Sequence, residues 1–398
     1  MTLETRAALL LGTAQTLAWA TSYYLPAVVA PAVVRDLQAE PALVYGAFSA
    51  SLLLAGLVAP RVGRAIEQRG GRPVLMLSSL VISLGLALLG LLPGLWGWVA
   101  GWLVLGLGMS AGLYEAAFAT LGVLFGRGAR RPITLVTLLA GFASTIGWPL
   151  STALLPLLGW RGTCLAYAAA NLLIALPLYV LLPRAAAAVE SAAGPQAAEL
   201  PPPPQAWVRR SFLLLAVFFT LRSMISGAMG VHLLSLLGGL GLSVGAAVAA
   251  AALQGPSQVG GRLLEFTAGR AAHPLVVARL GGLLLPLGAL LLVLAGPVAA
   301  VPFVLLYGAS NGILTISRGA VPLALFGPRG YPVLMGKLAL PILVSQALAP
   351  TLAAPVVANW PAAHFLGAAG LLALGALGCL MAIRPAPLPS PEAAIQRS

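Results

Sequence analysis

Charge is scarce in this chain of 398 residues: only 8% are Asp, Glu, Lys or Arg, against about a quarter in an ordinary soluble domain. That scarcity argues against a soluble enzyme of two or three domains. Lysine is nearly absent, Lys337 standing alone among 22 cationic residues. Cysteine is limited to Cys164 and Cys379, both inside apolar runs, and histidine to three residues. Without a Cys-x-x-Cys pair, neither a disulfide framework nor a zinc site has support, and both cysteines read as small packing residues. No Gly-x4-Gly-Lys-Ser/Thr loop occurs, because the only Gly-Lys pair, Gly336-Lys337, runs into Leu338. An ATP-driven pump therefore has no phosphate cradle here. His-Glu-x-x-His is missing too, and no nucleophile constellation stands out, so the chain reads as a non-enzyme that needs no cofactor or metal.

What is present is apolar sequence, 60% of the chain. Runs long enough to cross a bilayer recur at 7–33, 42–60, 74–95, 97–125, 134–157, 163–182, 211–236, 243–260, 275–296, 299–326, 333–357 and 361–383, twelve in all. The first is too long and too polar for a cleaved signal peptide and reads as a retained helix. The expected fold class is an all-α membrane protein, with the bilayer itself as a partner.

The formal net charge of +13 resembles a nucleic-acid footprint until the cations are placed. The N-terminus and every second connection carry Arg6; Arg61, Arg64, Arg69 and Arg72; Arg127, Arg130 and Arg131; Arg184, Arg209 and Arg210; Arg262, Arg270 and Arg279; and Arg329, with Arg384 and Arg397 at the C-terminus. That is seventeen on one side, against Arg35 and Arg161 on the other. The asymmetry follows the positive-inside rule and predicts cytoplasmic N- and C-termini, with no nucleic-acid partner. The preference for Arg over Lys in an Ala/Leu/Gly-rich chain points to a high-GC bacterium, hence its inner membrane. Arg222, Arg318 and Lys337 fall inside predicted spans.

Residues 183–209 hold no spanning run but include the Pro201–Pro204 stretch, and read as a cytoplasmic linker. The linker divides an N-terminal six-helix bundle, 1–182, from a C-terminal one, 210–398. The halves repeat. Gly63-Arg64-Ala65-Ile66-Glu67 matches Gly261-Arg262-Leu263-Leu264-Glu265, Leu124-Phe125-Gly126 matches Leu325-Phe326-Gly327, Pro132 matches Pro332, and Pro149 matches Pro350. Ordered matches at nearly one offset indicate two pseudo-symmetric bundles, a transporter architecture.

The loop Gly63-Arg-Ala-Ile-Glu67-Gln-Arg-Gly70-Gly-Arg72-Pro-Val-Leu75 resembles the loop motif of the major facilitator superfamily, Gly-x-Leu-x-Asp-x-x-Gly-x-Arg/Lys-x-x-Leu. Gly63, Gly70, Arg72 and Leu75 match, while Glu67 replaces Asp and Ala65 replaces Leu. With twelve spans and a second copy at Gly261–Glu265, the resemblance covers essentially the whole chain. It implies a secondary active transporter working by alternating access, with Glu67 latching the cytoplasmic ends and Glu265 as its weaker counterpart. It also implies that the first, fourth, seventh and tenth spans line a central cavity.

Ionisable groups inside membrane spans default to function. Glu115 lies 11 residues before Gly126, about 16 Å in at 1.5 Å per residue. Together with Arg222 and Arg318 it falls on three of the four expected lining spans. Helical spacing adds neighbours: Tyr307, Asn311, Thr315 and Arg318 share one face, as do Arg222, Ser226 and Met229, and Gln15, Trp19 and Ser22, with Tyr23 adjoining. Tyr114 stands beside Glu115. These residues form the expected substrate site, with Glu115 as proton carrier or as structural partner of Arg318. The cationic surplus suits a small organic anion. Lys337 either joins the site or snorkels to the surface.

Two alternatives remain. Trp19, Tyr23, Tyr114 and Trp148 suit proton-antiport efflux of hydrophobic drugs, although the Gly-Pro element of many antiporters appears only as Gly147-Trp148-Pro149. Met224, Met229 and His232 suit copper import, although the two sulfurs fall about 140° apart on a helix. A non-transporting membrane sensor is a further class. A monomer is expected.

Overall fold

The computed structural model describes residues 2–184 and 204–384. Every element of regular structure among them is helical. The first half contains α1 (Leu3–Thr21), α2 (Pro26–Leu37), α3 (Pro41–Arg69), α4 (Gly71–Leu91), α5 (Gly94–Gly112), α6 (Tyr114–Phe125), α7 (Arg130–Ala140), α8 (Ala143–Ala170) and α9 (Leu176–Val180). The second contains α10 (Gln205–Gly239), α11 (Val244–Ala252), α12 (Gln254–Thr267), α13 (Pro274–Ala295), α14 (Ala300–Phe326), α15 (Tyr331–Asn359) and α16 (Ala362–Met381). Arg397 and 185–203 of the expected linker lie outside the described residues. The last linker residues, Gln205–Arg209, already form the first turn of α10.

Eight stretches are long and apolar enough to cross a membrane. Three of them, Leu3–Leu37, Gly94–Val180 and Pro274–Phe326, are runs of more than one helix. Local chemistry sets the punctuation. Pro opens α2, α3 and α13, where its missing N–H costs nothing. Gly70, at φ 80°, turns the chain between α3 and α4, and Gly159, at φ 65°, bends it sharply inside α8. Both are left-handed conformations that favour glycine.

Four expected spans are not continuous, the eighth breaking at Leu253 between α11 and α12. The first breaks at residues 22–25, between α1 and α2. The fourth breaks at Leu113, where φ −90° and ψ −164° are extended. The fifth breaks at Gly141–Phe142, between α7 and α8. Hydropathy cannot register such breaks, because the residues on either side stay apolar.

Large apolar side chains such as Leu57, Leu77, Leu84, Leu173 and Leu294 point outward, as a lipid-facing surface requires. Inside, small residues bring backbones together. A Cβ on Gly85 would strike Leu105, one on Gly106 the backbone of Ser51, and one on Gly108 Ile82, so α3, α4 and α5 pack closely. Polar side chains tie helices across the core: Trp98 Nε1 donates to the Val44 carbonyl at 3.0 Å and Ser79 Oγ to that of Asn171 at 2.8 Å.

The arginine-bearing connections gather at one end. There Arg130 donates to the Ala272 carbonyl at 2.8 Å, Trp207 Nε1 to that of Arg384 at 3.2 Å, and Arg279 to that of Ile383 at 2.7 Å. The two halves close on each other towards this end. A Cβ on Gly63 would collide with the Pro332 carbonyl and one on Gly336 with that of Ala59, so α3 and α15 touch backbone to backbone. Likewise Gly122 of α6 accommodates Tyr331, and Gly319 of α14 accommodates Phe118. On α8, Ser144, Thr145, Trp148, Pro149, Thr152 and Ala153 line a shallow, open depression.

Candidate functional site

The buried ionisable groups converge where the halves meet. Glu115 sits in the first turn of α6, just past the Leu113 break. Its Oε1 lies 3.1 Å from Arg318 Nη1 on α14, with side-chain exposures of 12% and 17%. The pair therefore links the two halves. It is not saturated, because Glu115 Oε1 and Arg318 Nε have no hydrogen-bond partner. A small enclosed cavity of about 10 Å³ abuts Glu115 between α3, α6 and α15, room for about one water.

Arg222, on α10, is 4% exposed. Its Nη2 donates to Ser310 Oγ at 3.0 Å and to Asn311 Oδ1 at 3.1 Å, and Ser226 Oγ donates to the same Asn311 oxygen at 3.2 Å. Its Nε and Nη1 have no partner. Tyr307 lies one turn before Asn311, buried and stacked on Phe303. Arg222, Ser226, Tyr307 and Asn311 thus form one polar cluster within the second half. Arg318 stands seven residues beyond Asn311, about 10 Å along α14.

The aromatic residues form a second cluster in the first half. The Trp19 ring lies 5.0 Å from Tyr23, 6.1 Å from Tyr24 and 4.8 Å from Tyr114. Tyr24 in turn meets Trp148 at 5.7 Å, beside the depression on α8. Tyr23 accepts a hydrogen bond from Gln346 of α15, across the halves. Gln15 takes a different place: fully buried, it donates to the Gly112 carbonyl beside the Leu113 break and, at 3.5 Å, to Tyr179 Oη. Its amide N–H groups serve the broken helix, and only its Oε1 is left unpartnered.

The repeated loop motif divides its labour in reverse of expectation. Glu67 is exposed, its carboxylate beside Gly330 at the N-terminus of α15, where a helix dipole favours an anion. Glu265, expected to be the weaker copy, is 3% exposed at its side chain and paired with Arg130 Nη2 at 2.8 Å. Thr134 Oγ1 donates to its second oxygen at 3.3 Å, while Arg130 also donates to the Gly269 carbonyl at 2.8 Å. The difference comes from what each loop faces: Glu265 is roofed by the first turn of α7, whereas Glu67 meets only a helix end. Gly63 and Gly261 are the close-approach points, Gly261 seating against the Ala309 carbonyl. Gly70 supplies the left-handed turn, and Arg72 is half-buried at the start of α4.

Arg262 is the largest correction. An apolar run ending at 260 places it among the loop cations, but α12 continues to Thr267 and Arg262 is 5% exposed. Its Nη1 lies against Gly141, at the break between α7 and α8, and its Nε and Nη1 have no partner. It is within electrostatic range of Tyr24 and Tyr114. Ser310 and Tyr24 also escaped the sequence reading. Their only signal was adjacency to Asn311 and Tyr23. Lys337 is exposed, in keeping with the snorkelling reading. His232 Nε2 lies 3.0 Å from the Pro350 carbonyl and its ring sits against Phe365, so the imidazole is engaged in packing.

An all-helical body with an apolar exterior and its charges held between two halves has the architecture of a membrane transporter. The sequence matches the model of the Major Facilitator Superfamily over residues 11–329. The chain belongs to that superfamily, whose members move small molecules rather than transform them. No curated protein matches it in sequence. Among solved structures it is similar to the human organic anion transporter MFSD10, at 17% identity and TM-score 0.70, over 96% of this chain and 100% of that one. It is also similar to the Escherichia coli fucose:proton symporter FucP, at 14% identity and TM-score 0.68, over 96% and 100%. The proton:xylose symporter XylE matches at 16% identity and TM-score 0.67, over 96% and 94%. At these identities the likeness speaks for the fold.

Proposed function

We propose that this transporter moves a small organic anion across a bacterial inner membrane by alternating access, driven by the proton gradient. The observation that carries the reading is Arg222: a guanidinium 4% exposed, held by Ser310 and Asn311 through one nitrogen, with its other two nitrogens unpartnered. A buried cation with spare donors is costly until an anion supplies its acceptors. The human neighbour, named as an organic anion transporter, is compatible with this.

Glu115 is the proposed proton carrier. Its ion pair with Arg318 spans the two halves, so separation of the halves would break it and free the carboxylate for coupling. With both termini cytoplasmic, the closed arginine-bearing end corresponds to a state shut towards the cytoplasm. Reading Gly94–Val180 as three passes, Pro274–Phe326 as two and α11 with α12 as one gives twelve membrane passes. Gln15, Trp19, Tyr23, Tyr114, Arg222, Ser226, Tyr307, Asn311 and Arg318 remain the proposed solute-binding set, with Gln15 acting through the α5–α6 break.

The test is transport into proteoliposomes under an imposed pH gradient, after a thermal-shift screen of organic anions, cationic drugs and cuprous ion. Arg222→Ala is expected to abolish anion-induced stabilisation, and Glu115→Gln to abolish gradient-driven accumulation. Accumulation that survives Glu115→Gln intact would remove Glu115 from coupling. A response confined to hydrophobic cations would favour the second reading, drug efflux, for which the Trp19–Tyr23–Tyr24–Tyr114 cluster beside Trp148 is the supporting observation.

A further inference from the structure

We infer that the transported solute is a dianion whose two acidic groups are held separately, one by Arg222 and the other by Arg262; the inference rests on the anion reading above.

The first argument is charge balance. Arg222, Arg262 and Glu265 are buried, and Glu115 and Arg318 are largely so. Glu265 is matched by Arg130. Glu115 is matched by Arg318. Two guanidiniums are left over, each about one-twentieth exposed and each with two nitrogens lacking a partner. Arginine does not shed its proton to escape burial. Two persistent cations in a low-dielectric site are relieved by two negative charges, and a monoanion supplies one.

The second argument is geometry. Both arginines approach α14 at adjacent residues. Arg222 reaches Ser310 from α10, while Gly261, the residue before Arg262, seats on Ala309 from α12. Their heads then part. Arg222 is held inside the second half by Ser310 and Asn311, whereas Arg262 crosses to Gly141 of the first half. A single carboxylate does not serve both heads in these positions; two carboxylates joined by a short chain do.

The placement of Arg262 also supplies a coupling device. Glu265 follows it at i+3, on the same face of α12, and Glu265 with Arg130 ties the halves together at the closed end. A solute whose second carboxylate engages Arg262 therefore touches the gate helix one turn from its lock. A monoanion held at Arg222 alone does not reach it. Selectivity for dianions would be exercised in translocation as well as in binding.

The experiment uses the full-length protein in nanodiscs and calorimetric titration with malonate, succinate, glutarate and adipate, each against the monocarboxylate of equal chain length. At least one dicarboxylate is expected to bind about tenfold or more tightly than its monocarboxylate counterpart, and Arg262→Gln should bring that ratio to about one. If Arg262→Gln fails to fold, Gly141→Val provides an independent route, because its side chain would occupy the position of the Arg262 head; the same collapse of the ratio is expected. Equal binding of mono- and dicarboxylates, or a tenfold ratio that persists in both variants, overturns the dianion inference and leaves the anion reading standing. Binding of neither class overturns both.

Discussion

Glu265→Gln removes one charge from the ion pair that joins the halves at the arginine-bearing end. A fully buried pair broken at one partner costs about 3–5 kcal/mol, an exposed one about 0.2–1 kcal/mol. Glu265 is 3% exposed but Arg130 is 21%, so in the variant the guanidinium regains some water and keeps the carbonyls of Gly269 and Ala272. An intermediate cost of about 2 kcal/mol follows. All of it falls on the state closed at this end, because opening separates α7 from α12. The closed-to-open ratio should therefore drop about 30-fold, at about 1.4 kcal/mol per tenfold. Spin labels at Arg131 and Ala268, both exposed on either side of the contact, would report the change by double electron–electron resonance in a Cys164→Ala/Cys379→Ala background. A longer distance should appear in Glu265→Gln and equally in Arg130→Ala, with little added in the double variant. An unchanged distance distribution in both single variants, or effects that simply add, would refute the claim that this pair locks the gate.

Three further outcomes are expected. Gly336→Ala places a methyl against the Ala59 carbonyl; the backbone cannot yield, so the α3–α15 contact should be lost, with a fall in thermal stability and the same open population in resonance measurements. Gly159→Ala has space around it but sits at φ 65°, so a cost of about 1–2 kcal/mol is expected in reversible unfolding, without a change in solute affinity. His273 lies outside the apolar spans, where its Nδ1 accepts from Leu275 N–H at the start of α13. Partial burial, with Arg130 and Arg279 nearby, holds it below the usual histidine range. The folded state thus favours neutral His273, so its contribution is intact above about pH 6.5 and declines as the pH falls through that value towards the lowered one. His273→Asn keeps a capping acceptor and should flatten that acid limb of the stability profile.

The loop motif shows how far one-dimensional reading reaches. Its repetition at Gly63 and Gly261 located the two close-approach points, because only a residue without a side chain lets the backbones of α3 and α15, or of α12 and α14, touch. It could not tell which acidic copy carries the buried pair, because Glu67 and Glu265 are locally equivalent. The partner Arg130 is 135 residues from Glu265 in the chain and meets it only when α7 packs on α12. The same limit applies to Gln15, whose spacing put it on the lining face; the break at Leu113 presents it with a free carbonyl that periodicity does not reveal.

The linear sequence was enough to mark a membrane protein built from helices, and to point to two repeating halves with cations concentrated in every second connection. Those properties follow from hydropathy, charge placement and glycine positions, each readable in a short window. Tertiary structure alone decided the roles of the arginines. Arg262, at the polar end of an apolar run, had every local mark of a topology-setting loop cation. Helix α12 runs on past it and packs against α14, and that turns its head inward to the break in the opposite half. Burial is a property of what surrounds a side chain, and for Arg262 those surroundings come from helices remote in sequence.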